Sequence, residues 1–424
     1  LIDIRLIRSD PNLVQEKLRR RDPNIDISYL VELDKRYREI LIEVEELRSK
    51  RNAYSTEIGA LKKEGKDASA LISEMQVVSR RIKELEGEMR KLKEEIEGMM
   101  LALPNLPHDS VPVSQNKEDK VIVREWGGKP SFDFEPKNHL EIGKRLGIID
   151  MERGAKIAGS QFPLYIGPGA LMEWALLCLM IDIQVKKNGY TMVFPPILAN
   201  TKSFIVAGNL PKFEDQLYKC RDDDLYAIPT AETPLTNLHR DEILEESMLP
   251  LKYAAYTPCF RREAGSYGAE ERGLIRVHQF NKVELYKITT PETSYDELEG
   301  IVKDAEDVVR ALGLHYRVSL LVSGDLAQQS AKTYDIEVWL PGQGMYYEVS
   351  SCSNCEDYQA RRGNIRYRPK KGSGTRFVHT LNGSGLATPR LMVAILETYQ
   401  QPDGSVIIPE ALRPYMGMME RIGP

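Results

Sequence analysis

The chain has 424 residues, enough for two or three domains with a sizeable buried core. Its 42% hydrophobic and 29% charged residues are ordinary for a globular protein, and a net charge of −5 gives no general case for nucleic-acid binding, so any such contact has to be local. The opening stretch carries charges within its first residues and no apolar run of signal-peptide length, which makes the cytoplasm the expected location.

The first predicted element is a helical hairpin. From Leu30, apolar residues recur at Leu33, Tyr37, Ile40, Val44, Leu47, Tyr54, Ile58 and Leu61, in steps of three and four, with Arg51 taking one seam position. After the polar turn KKEGKD the pattern resumes at Leu71, Met75, Val78, Ile82, Leu85, Met89, Leu92, Ile96 and Met99. Two heptad seams around one short turn predict an antiparallel hairpin over about 28–100, reaching roughly 50 Å at about 1.5 Å per residue. Folding about that turn pairs Leu47 with Leu85, Ile40 with Leu92 and Leu33 with Met99. It leaves Arg51 opposite Ile82, with its guanidinium snorkelling outward. A dimerisation or spacer element has the same periodicity. Here the distal half concentrates cations (Arg48, Lys50, Arg51, Lys62, Lys63, Lys66, Arg80 and Arg81), which suits contact with phosphates.

The chain changes character at Pro104. LALPNLPHDSVP predicts an extended linker over 104–115 between an N-terminal domain, 1–103, and a C-terminal domain, 116–424. Beyond it the patterns predict helices over 137–147, 169–188, 232–246, 294–312 and 388–399. Strands are predicted over Tyr190–Leu198, Tyr253–Phe260, Leu274–Ile288, Asp335–Leu340 and Met345–Ser350. The most apolar stretch, Ala170 to Val185, is interrupted by Glu173 and Asp182, which marks a buried helix rather than a membrane span. Strands outnumber βαβ units, and no Rossmann or P-loop glycine pattern occurs, so the expected class is α+β, an antiparallel sheet flanked by helices. The five cysteines form no disulfide framework. The single C-x-x-C at Cys352 and Cys355 lacks the second pair that zinc usually needs, and reads as two reduced thiols in a tight turn.

The chemistry concentrates in 259–286, CFRREAGSYGAEERGLIRVHQFNKVELY. Arg261 and Glu263 form an Arg-x-Glu on one strand, which leads into a loop rich in glycine and charge. The next strand carries Arg276, Phe280 and Glu284, which the two-residue repeat puts on one face. A guanidinium, an aromatic ring and a carboxylate on one sheet face suit a triphosphate, an adenine and an amine. Charged surface hairpins share this composition.

At these residues the sequence resembles a known family. FRREAG…GLIRVHQF resembles motif 2 of class II aminoacyl-tRNA synthetases in its seryl form, and NGSGLATPRLMVAILE (382–397) resembles motif 3. PTAETPL (229–235) resembles the TAE loop of seryl-tRNA synthetases, and EVSSCSNCEDYQARR (348–362) their metal and ATP segment. GYTMVFPPIL resembles the end of motif 1, which sits at the dimer interface in class II enzymes, and the hairpin resembles the family's tRNA-binding arm. The resemblance spans nearly the whole chain, and four motifs in order behind a hairpin are very specific. One departure is Pro389 directly before Arg390, where some members have glycine; proline is acceptable in a first helical turn.

The resemblance implies an enzyme that activates L-serine with ATP and Mg²⁺ to seryl-adenylate. It then transfers serine to tRNA(Ser), and to the selenocysteine tRNA where one exists. Arg261 and Arg390 would be catalytic, with Arg261 bridging the α-phosphate and the serine carboxylate. Arg262 and Glu263 would bind ATP, Glu263 at the adenine amino group, and Arg276 would hold the distal phosphates. Phe280 and Arg390 would sandwich adenine. Glu348, Val349, Ser350 and Ser351 would complete the ATP site, with Glu348 and Ser351 supplying oxygens for Mg²⁺. Thr230, Ala231, Glu232, Glu284, Thr380 and Ser384 would surround serine, Thr230 and Glu232 near its amino group, Glu284 and Thr380 near its hydroxyl. Arg48, Arg51, Lys62, Lys63 and Lys66 would contact tRNA, and the enzyme would be a homodimer with no membrane association. Two other readings stay open: an enzyme loading an amino acid onto a carrier protein, whose known relatives lack the long arm, and a non-catalytic binding protein, expected to lose Arg261, Glu284, Glu348 or Arg390.

Overall fold

The computed structural model describes residues 1–264 and 273–423. The middle of the loop predicted within 259–286, residues 265–272, lies outside the described residues. The chain divides into two compact units. One comprises Asp3–Arg19 and Pro23–Leu103, and the other Leu1–Ile2, Arg20–Asp22 and Pro104–Pro424.

The first unit is built around two long helices, α1 (Ser28–Lys63) and α2 (Ser69–Ala102). Gly65 takes a left-handed conformation (φ 70°) in the turn between them, and Asp67 accepts from the Ser69 backbone N–H at 2.9 Å as the second helix begins. Ile40, Val44, Val78, Ile82 and Leu85 are buried together, with Leu47, Tyr54, Met89 and Leu92 packed against them. Leu47 and Leu85, and Ile40 and Leu92, thus share one apolar cluster. Polar pairs flank it: Arg36–Glu88 at 3.0 Å, Glu43–Arg81 at 2.9 Å, Arg48–Glu86 at 2.7 Å, and the Tyr54 hydroxyl to Glu74 at 2.7 Å. Near the end of α2 the buried methionine is Met100 rather than the expected Met99. A straight helix has 3.6 residues per turn, so a 3.5-residue seam drifts by a position over several heptads. Arg51 is half-buried.

The second unit holds an α+β domain. Its largest sheet has eight strands, β1 (Val121–Trp126), β2 (Thr191–Met192), β3 (Leu251–Phe260), β4 (Gln279–Thr289), β5 (Tyr316–Leu320), β6 (Lys332–Leu340), β7 (Met345–Asn354) and β8 (His379–Ala387), in the order β1-β5-β6-β7-β8-β4-β3-β2. All neighbours are antiparallel except the short β2, which runs parallel to β3. Helices α3 (Pro168–Asp182), α4 (Ser294–Ala311) and α5 (Thr388–Thr398) bury their apolar sides against this sheet. A Cβ on Gly383 of β8 would lie 3.3 Å from Ile301 of α4. That helix therefore covers the odd-numbered face of β8, and alternation gives Asn382 and Ser384 to the other face.

Three expectations shift. The strand expected over 274–288 begins only at Gln279, because 273–278 form turns. Gly273 (φ +68°) passes so close to His139 that a Cβ would come within 2.4 Å of its Nε2. The helix expected over 232–246 stops at Thr236; Asp241 takes φ 65°, and Ile243–Glu245 joins a separate three-stranded sheet. Of Tyr190–Leu198 only the ends pair, since Pro195 and Pro196 have no N–H to donate. The stretch Pro168–Lys187 is long and apolar enough to cross a membrane by length and composition. Its Met172, Ala175, Leu176 and Met180 are buried in the core.

Candidate active site

Register assembles the site. Ala255 of β3 and Ser384 of β8 flank Glu284 of β4, and Asn382 pairs with Tyr286. The even-numbered residues of β4, namely Phe280, Lys282 and Glu284, line two neighbouring cavities. Both cavities share Arg261, Glu263, Lys282, Glu348 and Ser384, so they are two ends of one cleft.

The smaller end, about 110 Å³, brings together Arg261, Glu263, Arg276, Phe280, Glu348, Val349 and Arg390. The Arg261 guanidinium lies 5.1 Å from the Phe280 ring centre, and its Nε donates to the Pro229 carbonyl at 3.3 Å. Glu263 holds a left-handed backbone conformation (φ 49°), a costly one for a non-glycine residue, with its carboxylate 3.4 Å from Arg276. Arg390 donates to the Glu348 carbonyl at 2.8 Å and carboxylate at 3.1 Å, and to the Ile275 carbonyl at 3.2 Å. The cation over Phe280 is thus Arg261, while Arg390 lies over Tyr347 at 4.8 Å. The Arg262 backbone donates to the Gln216 carbonyl at 3.0 Å, and Arg262 is exposed.

The larger end, about 450 Å³, is lined by Thr230, Glu232, Glu284, Ser351 and Ser384, with Lys282, Gln329 and Asn382. Thr230 Oγ1 donates to Glu284 at 2.7 Å and accepts from Lys282 Nζ at 2.7 Å; that ammonium is also 2.5 Å from Glu284. Glu232 Oε1 accepts three amide donors, Gln329 at 3.0 Å, Gln359 at 2.7 Å and Asn382 at 3.0 Å. Burial and then the Glu284 charge push the Glu232 carboxyl up to about 7, against the pull of these donors and of Lys282. Thr380 stands one layer back, donating to Gln359 Oε1 at 2.7 Å. Ala231 is fully buried at the start of the helix Glu232–Thr236. Ser350 is buried and donates to the Ser384 carbonyl. Ser351 pairs with Asp335 across the ladder, and Asp335 has a buried carboxyl oxygen without a hydrogen-bond partner.

Sequence reasoning missed Lys282, Gln329, Gln359 and Asn382. Lys282 lies between Phe280 and Glu284 on their own strand face, and Asn382 two residues before Ser384, so the two-residue repeat points to both. Gln329 lies in a loop and Gln359 in a six-residue helix, and neither has a local signal. Cys352 and Cys355 are free and buried, and burial pushes the Cys352 thiol up to about 12. In the hairpin unit Lys62, Lys63 and Lys66 are exposed, with Lys66 paired to Glu64 at 2.8 Å, and Arg48 is paired to Glu86.

An antiparallel sheet with an Arg-x-Glu at one strand end, a facing aromatic, and an arginine opening the helix after a glycine-rich strand defines the core of a class II aminoacyl-tRNA synthetase. Residues 213–399 match the family described as tRNA synthetase class II core domain (G, H, P, S and T), and residues 1–107 the seryl-tRNA synthetase N-terminal domain. The serine–tRNA ligase of Syntrophobacter fumaroxidans is 56% identical over 422 residues, covering 100% of both chains; that of Thermodesulfovibrio yellowstonii is 53% identical, covering 99% of each. The crystal structure of seryl-tRNA synthetase from Pyrococcus horikoshii complexed with ATP superposes with a TM-score of 0.95 at 39% identity, covering 100% of both chains. The chain belongs to the seryl-tRNA synthetase family. Its activity is that of a ligase joining serine to tRNA.

Proposed function

We propose that the cleft forms seryl-adenylate, with ATP at the smaller end and serine at the larger. One observation carries this reading: the Thr230–Lys282–Glu284 hydrogen-bonded set and Glu232 open into the same cleft as Arg261, Phe280 and Arg390. The serine carboxylate attacks the α-phosphorus of ATP; a new O–P bond forms as the bond to pyrophosphate breaks. The nucleophile is already ionised, so the protein contributes positioning and charge neutralisation rather than a general base. Arg261 bridges the α-phosphate and the serine carboxylate, for which its planar fork is suited. Its guanidinium leaves the Phe280 face, which then stacks with adenine, and Arg390 closes from the other side. Glu263, with the neighbouring Arg262, serves the adenine end, and Arg276 the distal phosphates. Thr230 and Glu232 receive the amino group of serine and Glu284 its hydroxyl, with Thr380 holding the wall through Gln359. In the second step a ribose hydroxyl at the tRNA 3′ end attacks the acyl carbon and AMP leaves.

Glu348 and Ser351 offer the hard oxygens that suit Mg²⁺ and would hold it beside the nucleotide phosphates. When bound, Mg²⁺ neutralises phosphate charge. The homodimer reading is supported by exposed Trp174 (57%) and Phe194 (78%), both ring partners of Tyr256, near exposed Leu171 and Met192. The arm grips tRNA through its distal cations. A two-step assay tests the function. Serine-dependent exchange of pyrophosphate into ATP should occur, followed by transfer to serine tRNA. Exchange without transfer to tRNA, but with loading of a carrier protein, would favour the other enzyme class; no exchange with serine would refute the site.

A further inference from the structure

Glu232 is held by Gln329, which lies in the loop 326–331 between β5 and β6. This loop has an unusual backbone environment. Each of its six consecutive carbonyls accepts a hydrogen bond from one of three residues. Arg21 donates to Leu326 at 2.6 Å, Ala327 at 2.8 Å and Ser330 at 2.9 Å. Asn105 donates its backbone N–H to Gln328 at 2.8 Å and its side-chain amide to Gln329 at 2.9 Å, and the His108 backbone donates to Ala331 at 2.9 Å. The clasp is closed on itself, since Arg21 also donates to the Asn105 carbonyl at 2.9 Å. Arg21 is 7% exposed and Asn105 6%, so water does not substitute for these donors. On the loop's other side, Ala327, Gln328 and Gln329 line the larger end of the cleft, and Gln329 reaches Glu232. In the chain, Arg21 precedes the long hairpin and Asn105 follows it.

We infer that Arg21 and Asn105 are positioning residues for the serine pocket, fixing the 326–331 loop so that Gln329 holds the Glu232 carboxylate. They touch no substrate. Gln329 has no backbone ladder of its own to hold it, so the placement of its amide depends on the clasp, and a binding group displaced by a fraction of an ångström loses most of its effect. The guanidinium fork is what reaches four carbonyls at once; a lysine ammonium offers only three donors from one point.

The inference rests on the proposed serine pocket, and the test separates the two. Serine and ATP KM would be measured by pyrophosphate exchange on the full-length chain for Arg21→Lys, Asn105→Ala, Gln329→Ala and Glu284→Ala, with thermal melting of each. Arg21→Lys, Asn105→Ala and Gln329→Ala should raise the serine KM about tenfold and leave the ATP KM within about twofold. Adding Arg21→Lys to Gln329→Ala should change the serine KM little further, because both act through one amide. If Arg21→Lys does not fold, Asn105→Ala, which keeps every Arg21 bond and the Asn105 backbone bond, carries the test. A folded Asn105→Ala enzyme with parental serine KM overturns the inference, as does a rise in serine and ATP KM together or full additivity with Gln329→Ala. If Glu284→Ala also leaves the serine KM unchanged, the pocket reading itself is wrong; if Glu284→Ala raises it, only the positioning role falls.

Discussion

Glu232 and Glu284 are two carboxylates facing one small cavity, and their surroundings set them apart. Glu284 has an ammonium and a hydroxyl against it, while Glu232 has only amides and is pushed up to about 7 by burial and by Glu284. The free enzyme should therefore lose affinity for the serine ammonium as pH falls through about 7, lowering kcat/KM for serine, and Glu232→Gln should flatten that limb of the profile. The same shift bears on stability. Between the ordinary carboxylate range and about 7, the folded chain keeps a proton that the unfolded chain has lost, so stability falls as pH rises across that window. Urea unfolding at pH 5 and pH 8 should show Glu232→Gln gaining clearly more at pH 8 than at pH 5, by at most about 3 kcal/mol. Glu284→Ala should lower kcat/KM for serine by on the order of 10²-fold or more and spare the ATP KM, since a pocket built to hydrogen-bond a hydroxyl discriminates through its polar groups. An unchanged serine kcat/KM would remove Glu284 from the pocket. Phe280 and Glu284 were legible because strand alternation is local. Gln329 and Gln359 were not, because they reach Glu232 from residues distant in sequence.

Among the elements, the hairpin was the most readable, since its seam repeats within each helix and its turn contains Gly65 at a positive φ. The element over 232–246 misled because its apolar pattern extends past the point where Asp241 turns the backbone and Ile243–Glu245 pairs with 366–368. That pairing joins segments more than a hundred residues apart, and no window on the sequence contains it. Strands β1, β5 and β8 escaped for the same reason, as they are defined by their partners in the sheet. At the hairpin turn, Lys62, Lys63 and Lys66 are exposed, and among the described residues the ion pair formed there is Lys66 with Glu64, across two residues. Exposed pairs of this kind hold their cations weakly and leave them to a phosphate. Replacing the three lysines by glutamine should weaken tRNA binding and reduce the slope of log affinity against log salt by about 0.7–0.9 for each phosphate no longer neutralised. Binding titrations between about 50 and 200 mM salt measure this; an unchanged slope would take the turn out of the tRNA interface.

The division of the chain into two compact units makes a stronger prediction about how its two reaction steps separate. The groups proposed for adenylate formation, Arg261, Glu263, Glu284, Glu348 and Arg390, all belong to the unit that contains the sheet, and the hairpin helices belong wholly to the other. Serine codons fall in two unrelated blocks, so an enzyme reading the anticodon would find no common feature, and the tRNA contact proposed for the hairpin would have to lie elsewhere on the tRNA. Joining about Tyr37 to about Ile96 through a short turn removes the distal cations and the apolar cluster of Ile40, Val44, Val78, Ile82 and Leu85 together, so no half-exposed seam remains to cause aggregation. Arg21 and Asn105 are untouched, and the 326–331 loop keeps its donors. Serine-dependent pyrophosphate exchange by the shortened enzyme should stay near the parental rate, while aminoacylation of serine tRNA should fall by orders of magnitude, mainly through tRNA KM. Parental charging of tRNA by the shortened enzyme would refute the arm's role. Collapse of pyrophosphate exchange in a folded, dimeric product would show instead that the hairpin is part of the chemistry.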